Sequence, residues 1–210
     1  MSKYGILFNV DKCIACQTCF VACKEENQLH PQMKWMRIER REDPRARIIN
    51  YFRASCQHCE DPACMKVCPA KAISKGSFGE VLVNDEKCIG CRMCLAACPY
   101  GAPQFNETGA VSYWPDKAPL AERASEMHQK RITGKAEHCT LCTHRLRDGR
   151  QPACVENCST GALRLIDYEN LSKEDSALLE KAQMMTAKAG TNPKVRYLSA
   201  RLDVTGLSLK

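Results

Sequence analysis

Cys13-Ile14-Ala15-Cys16-Gln17-Thr18-Cys19-Phe20-Val21-Ala22-Cys23 decides the reading of this chain: four cysteines spaced C-x2-C-x2-C-x3-C. The same spacing returns at Cys88, Cys91, Cys94 and Cys98, with Pro99 directly behind it. Between these runs lie Cys56, Cys59, Cys64 and Cys68, spaced C-x2-C-x4-C-x3-C. A last group, Cys139, Cys142, Cys154 and Cys158, reads C-x2-C-x11-C-x3-C. Together the four groups account for all 16 cysteines of the 210 residues.

Three thiolates spaced two residues apart on one loop can reach three corners of an iron–sulfide cube. The fourth, at the start of the following helix, faces away and serves a neighbouring cube. At four thiolates per cube, 16 cysteines make four [4Fe–4S] clusters with none left over. A disulfide framework needs an oxidising compartment and usually a small secreted chain. The sequence starts MSKYGILF, with no basic segment followed by an apolar one, so no targeting signal of its own is expected. Structural zinc also uses C-x2-C pairs, but a tetrahedral site joins two separated pairs. A C-x2-C-x2-C run suits the face of a cube better than one small ion.

Composition narrows the function classes. Only 6% of residues are aromatic, so a large conventional core is not expected, and the apo-chain should fold poorly. Mean hydropathy is −0.40 and no apolar stretch approaches the length of a bilayer, which predicts no membrane span. The formal charge of +7 suggests nucleic acid until the thiolates are counted. Sixteen thiolates and four oxidised cluster cores bring the total to about −1. The Lys and Arg excess then reads as compensation for buried anions. No basic and aromatic residues interleave as single-strand binding requires, so no nucleic-acid partner is expected.

The chain also repeats itself. Leu7-Phe8-Asn9-Val10-Asp11-Lys12-Cys13-Ile14 aligns with Leu82-Val83-Asn84-Asp85-Glu86-Lys87-Cys88-Ile89, and the register holds through Cys23 and Cys98. Pro62-Ala63-Cys64 with Cys68 precedes Ala72-Ile73, as Pro152-Ala153-Cys154 with Cys158 precedes Ala162-Leu163. A repeat of this kind says that one strand–loop–helix unit was used at least twice. Strands are predicted over Tyr4 to Val10, Ile48 to Arg53, Val81 to Val83 and Leu163 to Ile166. Short helices should follow at Phe20-Val21-Ala22 and Leu95-Ala96-Ala97, with Pro69 and Pro99 fixing the chain's exit from two loops. In the tail, Ser172 should cap a helix running to about Met185, with Gly190 as the stop.

Four cysteine groups in this order, the last split by a longer insert, resemble the iron–sulfur electron-transfer subunits of dimethyl-sulfoxide-reductase-type molybdenum and tungsten enzymes. The resemblance extends over roughly residues 3 to 200 and includes Cys139-Thr140-Leu141-Cys142-Thr143-His144-Arg145-Leu146 and Gly190-Thr191-Asn192-Pro193-Lys194-Val195. Trp35-Met36-Arg37-Ile38-Glu39-Arg40-Arg41-Glu42 also resembles a stretch of a transhydroxylase small subunit. The resemblance implies a ligand pairing. Cys13, Cys16 and Cys19 would share a cluster with Cys158, and Cys139, Cys142 and Cys154 one with Cys23. Cys56, Cys59 and Cys64 would pair with Cys98, and Cys88, Cys91 and Cys94 with Cys68. Ser159 departs from the family, where proline often follows the last cysteine.

The expectation is an α+β protein of tandem ferredoxin-like modules with a pseudo-two-fold repeat, two clusters per module. Residues 1–45 with 138–170 form one module and 46–105 the other, 106–137 is an insertion, and 171–210 a helical or extended tail. By resemblance the chain carries electrons between a large bis-pterin catalytic subunit and a membrane anchor or soluble donor, and holds no catalytic residue. Such a complex is membrane-associated, on the periplasmic side by co-export with its partner or on the cytoplasmic side. An independent polyferredoxin shuttle and a zinc-stapled interaction module are the rival readings. His58 and His144 could tune a cluster or be ordinary loop histidines, and Lys12, Lys66, Lys87 and Arg92 could place charge beside the cysteines or serve solubility. Trp35 and Trp114 read as core or interface anchors, and the charged run from Arg37 to Asp43 as a solvated or partner-facing surface.

Overall fold

The computed structural model describes residues 3–43, 47–109, 111–114, 116 and 131–207. Strand β1 (Tyr4–Asn9) is apolar along its length because Gly5 to Phe8 are all buried. It is the middle strand of a three-stranded sheet, antiparallel to β8 (Leu163–Asp167) and parallel to β9 (Val195–Leu198). A strand covered on both faces needs such a run. Helix α1 (Thr18–Glu26) follows the first cysteine loop. Next come the hairpin of β2 (Met36–Asp43) and β3 (Ile48–Ser55), then helix α2 (Ala63–Lys66) and the small hairpin of β4 (Ile73–Lys75) and β5 (Val81–Val83). Helix α3 (Met93–Ala97) leads to β6 (Gln104–Asn106), which pairs with β7 (Lys135–Glu137). Helices α4 (Thr143–Arg147) and α5 (Ala153–Glu156) precede β8, and α6 (Lys173–Lys181) precedes β9. The structure is therefore mixed α and β, built on small sheets.

The repeat read from the sequence is reproduced in hydrogen bonds. Phe8 faces Leu163 across β1 and β8, and Val83 faces Ile73 across β5 and β4. The N–H of Asn9 donates to the carbonyl of Ala162 at 2.8 Å, as that of Asn84 does to Ala72 at 2.8 Å. Each asparagine side chain then accepts from a backbone N–H three residues on, Lys12 at 3.2 Å and Lys87 at 3.0 Å. This local turn is why both strands end in asparagine before a cysteine loop. Helix α1 packs on α5 as α3 packs on α2.

One expectation changes and two are sharpened. The charged run from Arg37 is a strand through its ladder with β3, and its charges pair along one face at period two: Arg37 and Arg41 both reach Glu39, at 2.7 and 3.4 Å. Arg40 to Glu42 are exposed, but Arg37 to Glu39 are half-buried. Trp35 is only 5% exposed, donates its ring N–H to Glu137 at 3.2 Å and lies under the Arg131 guanidinium at 4.6 Å. It anchors its own chain and offers nothing to a partner, whereas Trp114 is 59% exposed. The tail helix is capped as expected, with Ser172 Oγ accepting from the Asp175 N–H at 3.0 Å. It stops at Lys181 rather than Met185, because Gln183 is drawn into backbone bonds with Tyr197 at 2.8 and 2.9 Å. Half of the 106–137 insertion lies outside the described residues, and β6 and β7 join its two ends.

Ile6, Phe8, Phe52, Tyr100, Met185 and Tyr197 form a continuous core with the buried cysteines. The Gly190–Val195 stretch explains itself here. The N–H groups of Glu60 and Asp61 donate to Asn192 and Thr191, and that of Lys194 to Gln57, so the tail clamps the second cysteine loop.

Candidate metal centres

Three small cavities are each ringed by four cysteines taken from two groups. Cys88, Cys91, Cys94 and Cys68 line one. Cys56, Cys59, Cys64 and Cys98 line another, and Cys139, Cys142, Cys154 and Cys23 a third. Cys13, Cys16, Cys19 and Cys158 make the remaining set: Cys13 lies near Cys158 and Cys16, and Cys19 near Cys158 and Cys13. Helices produce the crossing. Cys19 and Cys23 are one turn apart on α1, so the second thiol sits about 6 Å further along the axis. The same four-residue step separates Cys64 from Cys68, Cys94 from Cys98 and Cys154 from Cys158.

The four sets adjoin one another in series. Cys19 of the first set neighbours Cys154 of the next, Cys56 neighbours Cys139, and Cys64 neighbours Cys94. All eight cysteines of the two inner sets are buried, while each outer set has an exposed member, Cys16 at one end and Cys91 at the other.

Loop geometry serves the sulfurs. The N–H groups of His58 and Leu141 each donate to the cysteine two residues before, Cys56 and Cys139, at 3.4 Å, and that of Ala72 donates to Cys68 at 3.3 Å. His58 and Leu141 are themselves left-handed, and the other two loops turn the same way: Ala15 and Gln17 in the first match Gly90 and Arg92 in the third. The copies differ at one point, since a Cβ on Gly90 would meet the backbone oxygen of Gly134 at 2.4 Å. Gly90→Ala adds that clash to left-handed strain of about 1–2 kcal/mol, a fall of about 2–8 °C or more in the melting temperature of the iron-loaded chain. Ala15→Gly, which relieves the same strain, should leave it unchanged or raised. Equal destabilisation by both would refute this account. At Cys158 the exit turn needs no proline: the Gly161 N–H bonds its carbonyl at 3.1 Å, as the Lys71 N–H does at Cys68. Ser159 instead places its hydroxyl 3.9 Å from the Cys16 sulfur.

Burial first, and neighbouring thiolates second, push the thiols of Cys19, Cys64 and Cys142 up to about 12. Those of Cys23 and Cys56 rise well above the ordinary value for the same reasons. Cys16 goes the other way, held down by the Thr18 hydroxyl at 3.4 Å. So many crowded thiols become thiolates together only around a cationic core. Among the described residues no three His, Cys, Asp or Glu side chains converge closely enough for a single metal ion. Thiols arranged around a volume fit an iron–sulfur cube and do not fit tetrahedral zinc.

His58 is buried and its Nδ1 accepts from the Val81 N–H at 3.1 Å, with burial and then His138 keeping it neutral. His144 pairs instead with Glu26 at 2.8 Å. Lys12 and Lys87 point into solvent, Lys66 pairs with Asp61, and Arg92 lines a cavity but pairs with Glu107 at 3.2 Å. Sequence reading missed Arg53, Asn27 and Thr191. Asn27 donates to the Cys23 sulfur at 3.7 Å, and Thr191 reaches Cys59 and bonds the Tyr100 hydroxyl at 2.7 Å. A usable signal existed only for Arg53, a lone charge in the run Tyr51-Phe52-Arg53-Ala54 ahead of Cys56.

Two family models described as a 4Fe-4S dicluster domain match the chain, one over residues 48–113 and 124–168, the other over 12–72. The chain is 35% identical over 196 residues to the B component of anaerobic dimethyl sulfoxide reductase from Escherichia coli, covering 89% of this chain and 84% of that one. It is 31% identical to the arsenate respiratory reductase iron–sulfur subunit of a Shewanella species, covering 93% of this chain and 96% of that one. The B component of tetrathionate reductase from Salmonella typhimurium is 31% identical, with 93% of this chain and 72% of that one covered.

Proposed function

Since the protein belongs to the family of iron–sulfur subunits of dimethyl-sulfoxide-reductase-type enzymes, we propose that it relays electrons through four [4Fe–4S] clusters held by its 16 cysteines. One cluster would lie in each four-cysteine set, from Cys13, Cys16, Cys19 and Cys158 at one end to Cys88, Cys91, Cys94 and Cys68 at the other. Residues 1–45 with 138–170 would enclose two clusters and 46–105 the other two, as interleaved modules. Bound clusters supply one-electron carriers with potentials tunable over roughly −700 to +450 mV. The chain's own residues hold the thiolates, exclude water from the inner pair and donate N–H groups to sulfur.

The observation that carries this reading is the series of four sets, buried in the middle and open at both ends. A relay needs two ports. Ile14 and Val21 are 66% and 60% exposed at one end, Ile89 and Met93 68% and 47% at the other. We assign one port to a large bis-pterin catalytic subunit and the other to a membrane anchor or soluble donor. No helix of the described residues is long and apolar enough to cross a membrane.

Ile14→Glu and Ile89→Glu test the two ports separately. Each should weaken electron transfer to one partner about tenfold, roughly 1.4 kcal/mol of binding, with iron content unchanged. If neither substitution affects either partner, or the chain runs alone in native extracts, the independent polyferredoxin shuttle replaces this reading.

A further inference from the structure

Arg53 sits at the end of β3 with 1% of its surface exposed. Its side chain lines the cavity ringed by Cys23, Cys139, Cys142 and Cys154, with Nη2 4.0 Å from the Cys139 sulfur. Among the described residues its Nε and Nη1 meet no oxygen or nitrogen acceptor, and its side chain also reaches the Cys154 sulfur. Its backbone is fixed independently, since the Tyr197 hydroxyl donates to the Arg53 carbonyl at 2.8 Å. No carboxylate of the described residues forms an ion pair with it, in contrast to Arg92, Arg131 and Arg145, each of which has one.

A guanidinium cannot shed its proton in a protein, so burial without an anion costs several kcal/mol. Among the described residues, the anions set closest to it are thiolates. Burial lowers the tendency of Arg53 to hold its proton, and thiolates at Cys154 and Cys139, with Tyr197 and Cys23, together raise it by more. Asn27, which donates to the same set, is neutral, and Lys24 and Arg131 act on Cys23 from outside, so Arg53 is the cation that lines the cavity itself.

Resting on the cluster reading above, we infer that Arg53 is the resident counter-charge of the inner site of Cys23, Cys139, Cys142 and Cys154, and sets that site's reduction potential above what its thiolates alone would give. The physical reason is a difference between states. Four thiolates around an oxidised core carry about −2, and one added electron makes this about −3. A fixed cation at short range in a dry site stabilises the second state more than the first. Cys19 of the adjoining outer site also feels Arg53, so a smaller effect belongs there.

The test uses the iron-loaded full chain, in complex with its partner where that is stable, with Arg53→Met and Arg53→Lys compared. Iron and sulfide are assayed first, and each cluster is then titrated by paramagnetic resonance. The inner site's signal is identified as the one that Cys142→Ser removes. Arg53→Met should lower the reduced-to-oxidised ratio of that cluster about tenfold at a fixed potential, which for one electron is ~59 mV. Arg53→Lys should restore more than half of the shift, and the two clusters furthest away should not move. Loss of the inner cluster in Arg53→Met but not in Arg53→Lys supports the same assignment, since charge is what the lysine keeps. The inference is overturned by full iron with no shift, by an equal shift in all four clusters, or by cluster loss in both variants, which marks a packing role. Absence of iron from the unsubstituted chain would overturn the cluster reading instead.

Discussion

Chelating the iron from anaerobically purified protein will cost it most of its structure. The intact chain should hold about sixteen iron and about sixteen sulfide, four of each per set of four thiolates, with negligible zinc. The expected collapse follows from where the cysteines are. Cys19, Cys23, Cys56, Cys64, Cys139 and Cys154 are part of the apolar core, so the groups that bind iron are also the groups around which Phe8, Phe52 and Tyr197 pack. Metal-binding free energy is folding free energy when the site does not exist in the unfolded chain. Loss of iron should therefore abolish most helical and near-ultraviolet circular dichroism. Whatever folded apo-chain survives should be weakest in alkali. Cys19, Cys64 and Cys142, raised from 9.0 to about 12, bind protons more tightly folded than unfolded. Their contribution is complete below pH 9 and is lost as the pH climbs toward 12. A stripped chain that keeps its native spectrum, or one that gains stability above pH 9, would contradict this account.

Serine at the fourth cysteine of each group will damage a cluster belonging to a distant loop. Cys158→Ser should remove or convert the cluster of Cys13, Cys16 and Cys19, more than 130 residues away in sequence. Cys68→Ser should do so for Cys88, Cys91 and Cys94, and Cys98→Ser for Cys56, Cys59 and Cys64. The expected loss is about a quarter of the iron in each case, or less where a three-iron cluster remains. The reason is the helical step: Cys154 lies within α5 and Cys158 just past its end, so about one turn carries the second thiol from one cavity to the next. Combining each serine with a second substitution in the distant loop provides the check. Cys158→Ser with Cys16→Ser should cost no more iron than the worse single variant, since both strike one cluster. Additive losses, or a signal lost from the middle sites in Cys158→Ser, would refute the crossed arrangement.

The ligand chemistry was legible in the sequence because C-x2-C-x2-C-x3-C is a local constraint, set by the reach of one loop. So was the internal repeat. Asn9 and Asn84 make the same turn with the same neighbours, a bond pattern contained within a few residues. Strand β2 was hidden because its ion pairs among Arg37, Glu39 and Arg41 gave it the composition of a surface loop, and only pairing with β3 makes it a strand. Whether Trp35 is core or an interface anchor was left open because its cover, Glu137 and Arg131, comes from about 100 residues further along. The helix after Ser172 was placed correctly at its capped start and wrongly at its end, where Tyr197 intervenes.

What the sequence determined by itself is the number and kind of sulfur ligands and the unit that was repeated. Which cysteines share a cavity, which sets are buried and which open, and that Arg53 lies 4.0 Å from Cys139, 86 residues later, were decided by tertiary structure. Spacing fixes what one loop can hold. Burial and charge compensation depend on elements that meet only when the chain has folded.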